Sequence, residues 1–406
     1  MHYDFLRKEF DDRIKTVVED IKDWNVGDSS YAKEIETLEP YVTPFEHCDK
    51  PDSDFLIAGS DGSGDFPSVR YGDSFVYVVI SRARLYEAMQ PPVRLKELEA
   101  KGCDLANLLW MPEDPRKSAE KMDEFFEELI GIPLKEICEH SDYFHYKKLF
   151  GRAPATAEGL IGTLIHPEAH EDNNVRIQIM GTAEAAALIR MLKVLGEVRE
   201  GRKAYIIQDT TLALPLVKKS VSLFFEIAKR YACAKASDQG VTYLALSKSH
   251  NFPRMDLIEE MVAKKVPSRT HWFMRVPSKA MGEKCPNFIG EREIPPVGAV
   301  SYLFALHKTT QPMRLDIDIN HWKKTIWDED PEKTKANEIQ LFRDLDFAAH
   351  DQRCYGYPYP VKASHDLASL TEAERVSIRK QIIDRAIEAG LKRKNFVDPS
   401  VTTGHK

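Results

Sequence analysis

The sequence predicts an α/β fold, on three observations. Apolar runs of strand length recur and end in polar residues. Helical periodicities with one apolar face lie between them. From Ala204 to Leu246 the order is strand, helix, strand, the rhythm of a parallel βαβ unit with a right-handed crossover. In such sheets the functional groups gather beyond the carboxyl ends of the strands.

Composition frames that prediction. The chain has 406 residues, 43% hydrophobic and 30% charged, which suits a globular protein with a substantial core in one large or two ordinary domains. No run approaches the roughly 18 apolar residues that span a bilayer, and Met1 to Trp24 is too charged for a signal peptide. A cytoplasmic protein with no membrane partner is expected. Cys48, Cys103, Cys138, Cys233, Cys285 and Cys354 are scattered, with no Cys-x-x-Cys pair. They read as free thiols in a reducing compartment, not as disulfides or zinc ligands. The net charge of −7 argues against coating nucleic acid by bulk electrostatics. It leaves room for a local basic groove, or for an acidic site that approaches phosphate through cations.

At the N-terminus, Phe5, Leu6, Phe10, Ile14, Val17, Val18, Ile21 and Trp24 recur at helical spacing. They predict an amphipathic helix packed on the core or on a second subunit. Residues 26–53 are acidic and aperiodic, a surface connection that completes an N-terminal segment of 1–54. Strands follow at 55–60 and 74–81, the second running on to Leu85. Asp61-Gly62 after the first admits two readings. One is a hairpin turn, since Gly takes positive φ freely and Asp tolerates it. The other is a carboxylate delivered by a strand end. Pro91-Pro92 breaks the pattern, and from about 91 to 155 charged helical segments (94–100, 116–130, 134–140) predict a helical insertion. Its Lys117, Lys121, Lys147 and Lys148 are interleaved with acids and read as a solvated face. His166 and His170 have the i,i+4 spacing of a zinc pair, but Pro167 and the polar run 171–174 favour a surface loop.

The second half carries the chemistry. A short strand, Val175 to Met180, is expected before Gly181-Thr182 opens a helix whose apolar face is Ala187, Leu188, Met191, Leu192 and Leu195. Glu184 lies on that face. A carboxylate turned toward a core costs several kcal/mol unless paired or metal-bound. The alternative is a first-turn acid favoured by the helix dipole. The strand 204–209 ends in Asp209, and 241–246 ends in Ser247-Lys248-Ser249, with a helix between them that starts near Pro215. Residues 255–264 read as a helix, 271–276 as a strand and 277–296 as a Pro/Gly-rich loop. An antiparallel pair is expected at 300–306 and 313–319, where Asp316 and Asp318 alternate with Leu315, Ile317 and Ile319 and read as an exposed face. A helix covers 334–347. Then Tyr355-Gly-Tyr-Pro-Tyr-Pro360 forms a rigid aromatic turn that fixes Tyr357 relative to His365. A capping box, Thr371 to Glu374, opens a last helix that stops at Gly390, and 391–406 is a polar tail.

In order, Asp61-Gly-Ser after a strand, Glu184 on a helix, Asp209 with Leu212, Leu244-Ala-Leu-Ser-Lys248, and Gly356-Tyr-Pro-Tyr-Pro with His365 resemble the NurA nuclease family. The resemblance covers about 55–390, and the Gly-Tyr-Pro-x-Pro…His stretch is its most distinctive part. It implies an RNase H-like core (a mixed sheet flanked by helices, with the helical insertion and additional C-terminal strands and helix) and a homodimer. It also implies Mn2+-dependent (Mg2+ as substitute) exo- or endonuclease cleavage of DNA ends, in repair or defence, beside a HerA-type hexameric translocase. Matched to the family, Asp61, Glu184, Asp209 and His365 would be metal ligands, Lys248 would sit near the scissile phosphate, and Tyr357 would position the strand. Glu197 and Glu200, nearer Asp209 in sequence, are alternatives for the glutamate. Phosphodiester hydrolysis needs an activated water and a neutralised leaving oxygen, which two carboxylate-held ions provide. The chain departs from the family at Thr210, where Gly is common, and in the length of 91–155. The first departure would suit a catalytically silent nucleic-acid-binding or motor-docking subunit of the same fold.

Overall fold

The apolar runs at 55 and 75 belong to two long antiparallel strands around which a large mixed sheet is built. The structure is a computed structural model that describes residues 2–26, 31–90, 93–139, 173–212, 223–250, 252–292, 294–308 and 310–397. Its strands are β1 (Val42–Pro44), β2 (Phe55–Tyr71), β3 (Ser74–Ala88), β4 (Leu95–Leu98), β5 (Leu105–Met111), β6 (Lys203–Asp209) and β7 (Thr242–Ser247). There follow β8 (Trp272–Arg275), β9 (Ala299–Ala305), β10 (Met313–Asp318), β11 (His350–Asp351), β12 (Cys354–Tyr355) and β13 (Phe396–Val397). The helices are α1 (His2–Val26), α2 (Ala32–Glu36), α3 (Pro115–Ile130), α4 (Leu134–Glu139), α5 (Asn173–Val198) and α6 (Leu223–Asp238). Beyond them lie α7 (Met255–Lys265), α8 (Asn287–Gly290), α9 (Ile319–Thr325), α10 (Pro331–Ala349), α11 (Tyr359–Ala368) and α12 (Glu372–Glu388).

The strand order is β1-β8-β9-β10-β7-β6-β2-β3-β4, with β5 also on β3 and β13 on β2. Within it, β5, β3 and β2 pair antiparallel in sequence, and β6 and then β7 add parallel to β2. Three antiparallel strands followed by two parallel ones on the side of the first is the RNase H-like arrangement. The further strands β8 to β10 extend the same sheet antiparallel from β7.

Strand alternation divides the core between the two faces of the sheet. Leu56, Ala58, Ala204 and Ile206 face a cluster completed by α3, α5 and α6, with Phe126, Leu188, Leu192 and Ala232 fully or almost fully buried. Phe55, Ile57, Tyr205 and Ile207 face the other, built with α10 and α11 through Phe342, Phe347 and Val361. A third cluster packs α7 and α8 on β8. The C-terminal helix α12 opens with the expected capping box and is tied to β2 by a buried bidentate pair, Arg379 to Asp65 at 2.7 and 2.8 Å.

Several expectations are corrected. Asp61-Gly62 is not a hairpin turn: β2 runs straight through it, and the turn comes at Gly72 with φ +58°. Residues 175–180 are not a strand but the first turns of the continuous helix α5, with Gln178 and Ile179 buried. Gly181 and Thr182 do not interrupt it, because both lie inside packed surface where tertiary contacts outweigh propensity. The predicted helix at 94–100 is instead β4, and β5 follows; both pair with β3, so only 115–139 of the described insertion is helical. Asp316 and Asp318 are not an exposed face. Asp316 is fully buried and accepts from Arg314, Ser301 and the Leu212 amide, while Asp318 caps α9. The loop 277–296 contains the short helix α8. Phe10, Ile14, Val17, Val18 and Ile21 of α1 are each more than half exposed, so this chain's own core does not cover that face. Cys48, Cys103, Cys233, Cys285 and Cys354 are free thiols. Lys147, Lys148, His166 and His170 lie outside the described residues. Among those residues no helix is long and apolar enough to cross a membrane.

Candidate active site

Adjacent parallel strands bring Asp61 and Asp209 together. Ser60 pairs with Gln208 in register, so the two aspartates are the next residues on neighbouring strands about 4.8 Å apart. They stand at the carboxyl end of the parallel pairing, where the topology leaves room for a ligand.

Glu184 reaches them from below. It sits on the sheet-facing side of α5 and is 5% exposed. Gln208 Nε2 donates to its Oε2 at 3.1 Å, and Gln208 Oε1 accepts from the Tyr243 hydroxyl. The approach requires Gly62: a Cβ there would lie 2.8 Å from Glu184 Oε1 and 2.9 Å from Met180 Cγ. Burial pushes the Glu184 carboxyl well above the usual range, and the charges of Asp61 and Asp209 push it further; the Gln208 hydrogen bond opposes them. Asp61 is raised too, by burial first, against the lowering effect of His365.

His365 is delivered by α11, which lies directly on β2. Gly59 permits the contact, since a Cβ there would stand 2.5 Å from the Val361 nitrogen, and the Ser364 hydroxyl donates to the Gly59 carbonyl at 2.8 Å. One turn of helix from Val361 then carries His365 Nδ1 to 2.6 Å from Asp61 Oδ2. The His365 side chain is half exposed.

The remaining two residues form the rim. Lys248, after β7, places Nζ 3.0 Å from Asp209 Oδ2 and 5.3 Å from the centre of the Tyr357 ring. The Tyr357 hydroxyl is buried with no hydrogen bond of regular geometry. Burial raises its pKa well above 10, and the charges of Asp209 and Asp61 raise it further. Thus Asp61, Glu184, Asp209, Lys248, Tyr357 and His365 converge. Glu197 lines a separate surface groove with Lys193 and Lys101, and Glu200 holds the turn after α5 at φ +48°. Thr210 has no left-handed backbone, and its amide is bonded to Gln208 and Leu246 carbonyls, so a glycine is not demanded there.

Sequence reasoning missed Gln208, Gly59 and Gly62 as the residues that aim the carboxylates and the imidazole. A glutamine directly after the apolar run 204–207 and before Asp209 was the available signal for the first. It also missed a second cluster, His47, His271, Asp346 and His350. This is the group of described residues whose ligating atoms all lie within 4.8 Å of one another, and it includes none of the six above. An acid and a histidine four apart on α10 were its trace in the sequence.

The fold and site together define an RNase H-like protein with a carboxylate cluster where the parallel pairing of its central strands ends. No protein-family model and no curated protein sequence matches the chain. Solved structures similar to it include the NurA nuclease from Sulfolobus solfataricus, at 12% identity and TM-score 0.45, covering 94% of this chain and 98% of that one. NurA with manganese matches at 11% identity and TM-score 0.39, over 95% of this chain and 99% of that one. NurA bound to dAMP and manganese matches at 12% and 0.39, over 96% and 98%. The motif order in the sequence resembles the same family. At such identities the likeness is one of overall fold, and the topology given above rests on the strand register of this chain.

Proposed function

We propose that this chain is a metal-dependent nuclease that hydrolyses phosphodiester bonds of DNA. The observation that supports it most is the meeting of Asp61, Glu184 and Asp209, with an imidazole and an ammonium group on the rim. Burial and the neighbouring aspartates raise the Glu184 carboxyl, and burial raises Asp61, a strain that a bound cation relieves. The donor set is hard, three carboxylates and one imidazole, which fits Mn2+ or Mg2+. Asp61, Glu184 and Asp209, with His365, would hold two ions. Such a pair, when bound, lowers the pKa of a water and neutralises charge on the leaving oxygen.

The chain's residues position the rest. Asp61 engages His365 at Nδ1, which leaves Nε2 of a half-exposed ring to ligate or to exchange a proton with solvent. Lys248, more than half exposed beside Asp209, turns its ammonium to a phosphate oxygen when a strand enters. Tyr357 places its ring 5.3 Å from the Lys248 ammonium and so holds that charge beside Asp209. The test uses purified protein, labelled linear DNA, an RNA of the same sequence, and Mn2+. Asp61→Ala and Asp209→Ala should lose at least about 100-fold in cleavage rate, the scale of a removed charge-stabilising group. Variants that digest DNA as well as the parent would sink the assignment. A fully folded protein that binds Mn2+ but never cuts, even beside a hexameric translocase, would favour the silent-subunit reading.

A further inference from the structure

Apart from the cluster at Asp61, three histidines and an aspartate from three separate segments meet. His47 follows β1, His271 precedes β8, Asp346 occupies the last turn of α10, and His350 ends it. We propose that these four side chains form a second metal site, for a single zinc-class divalent ion, which clips the N-terminal connection and β8 to the end of α10.

The donor atoms of all four side chains lie within 4.8 Å of one another, a spacing that suits a four-coordinate centre. Four-coordinate zinc with bonds of about 2.0–2.1 Å separates neighbouring donors by about 3.3 Å. His271 Nε2 stands 3.4 Å from Asp346 Oδ1, His350 Nδ1 2.9 Å from the same oxygen, and His47 Nδ1 2.7 Å from Oδ2. Opening the shorter two by about half an ångström would admit the ion without moving the backbone.

Two atoms point to a missing partner. The Asp346 side chain is fully buried, and its Oδ1 has no hydrogen bond of acceptable geometry; the buried Nε2 of His271 facing it has none either. A buried carboxylate oxygen and an imidazole nitrogen left this way cost free energy that a cation between them recovers. The surroundings already hold the carboxylate in place. The Cys48 amide donates to Asp346 Oδ2 at 2.8 Å. Such an outer contact is what orients a metal-bound carboxylate. The donor types also separate this site from the one at Asp61. Three imidazoles with one carboxylate suit zinc, whereas the carboxylate-rich cluster suits manganese or magnesium.

The full chain purified without chelators, and again after stripping and addition of one equivalent of Zn2+, is measured by elemental mass spectrometry and thermal unfolding. One zinc per chain is expected, with a Tm that falls on chelation and recovers with Zn2+ but not with Mg2+. His47→Ala, on a partly exposed connection that folding tolerates, should reduce zinc content at least tenfold, and His271→Ala should do the same. Asp61→Asn, at the other cluster, should leave it unchanged. Replacement by Co2+ should give the visible absorption of a four-coordinate ion. A chain that takes up no zinc and shows no Zn2+-dependent Tm, or zinc that survives both histidine variants, would overturn the site and leave a hydrogen-bonded network alone. Because zinc content is read without DNA, failure of the nuclease reading leaves this result unaffected.

Discussion

At the scale of single residues, Glu184 decides most. Burial, and after it the charge of two neighbouring aspartates, pushes its carboxyl well above the usual carboxylate range. An acid whose pKa is raised on folding contributes stability that is complete below its unfolded pKa, near 4.5, and is lost as pH rises through its folded value. Metal-free protein should therefore lose stability as pH climbs from 4.5, and added Mn2+ should restore it more strongly at higher pH as protons are released. Glu184→Gln keeps the shape and the Gln208 contact while removing the charge. It should raise the Tm of metal-free protein at pH 7.5 by roughly 2 °C per kcal/mol recovered, yet abolish the Mn2+-induced rise. A variant that keeps both the parent's pH slope and its Mn2+ response would show that Glu184 is not part of the site.

Among elements, the contact between α11 and β2 places the imidazole. Gly59→Ala puts a methyl group 2.5 Å from a backbone nitrogen, which neither element can avoid without shifting. The expected cost is about 1–3 kcal/mol by urea unfolding, with cleavage lost more steeply than stability because His365 leaves Asp61. Equal losses in both would deny α11 a positioning role. The pair Arg379–Asp65 anchors α12 in the same way. Asp65→Ala removes the bidentate partner of a buried guanidinium and should cost about 3–5 kcal/mol; a change under about 1 kcal/mol would mean the helix is not held there. The sequence made the ends of α12 and the parallel order of β6 and β7 legible, because capping residues and apolar alternation are local signals. It misread α5, whose first turn carries the alternating Val175-Arg-Ile-Gln-Ile of a strand. Packing of Gln178 and Ile179 under the sheet decides that segment, and nothing local records it.

Over the whole molecule, a net charge of −7 sits uneasily with a nucleic-acid substrate. If the site works through bound cations, the isolated protein should hold DNA weakly, with affinity that falls steeply between 50 and 200 mM salt. Nanomolar binding at physiological salt would contradict this. A translocase ring that threads the strand in would make such weak binding sufficient. The uncovered apolar face of α1 fits the second subunit that the family resemblance implies. Light scattering should therefore give twice the chain mass for the full protein and one chain mass once residues 1–26 are removed; a monomer in both cases would end that reading.

By itself the sequence determined the class of fold, and it offered Asp61, Glu184, Asp209 and His365 as candidates through a motif order that resembles the NurA family. The fold class follows from apolar periodicity, strand ends and turn chemistry, all of which act over a few residues. Only the tertiary structure decided that β2 passes straight through Asp61, that two glycines admit Glu184 and α11, and that Asp316 is buried against Arg314. It alone brought His47, His271 and His350 around Asp346. The reason is physical: close approach, burial and the pairing of charges depend on atoms hundreds of residues apart, and no window of sequence contains both partners.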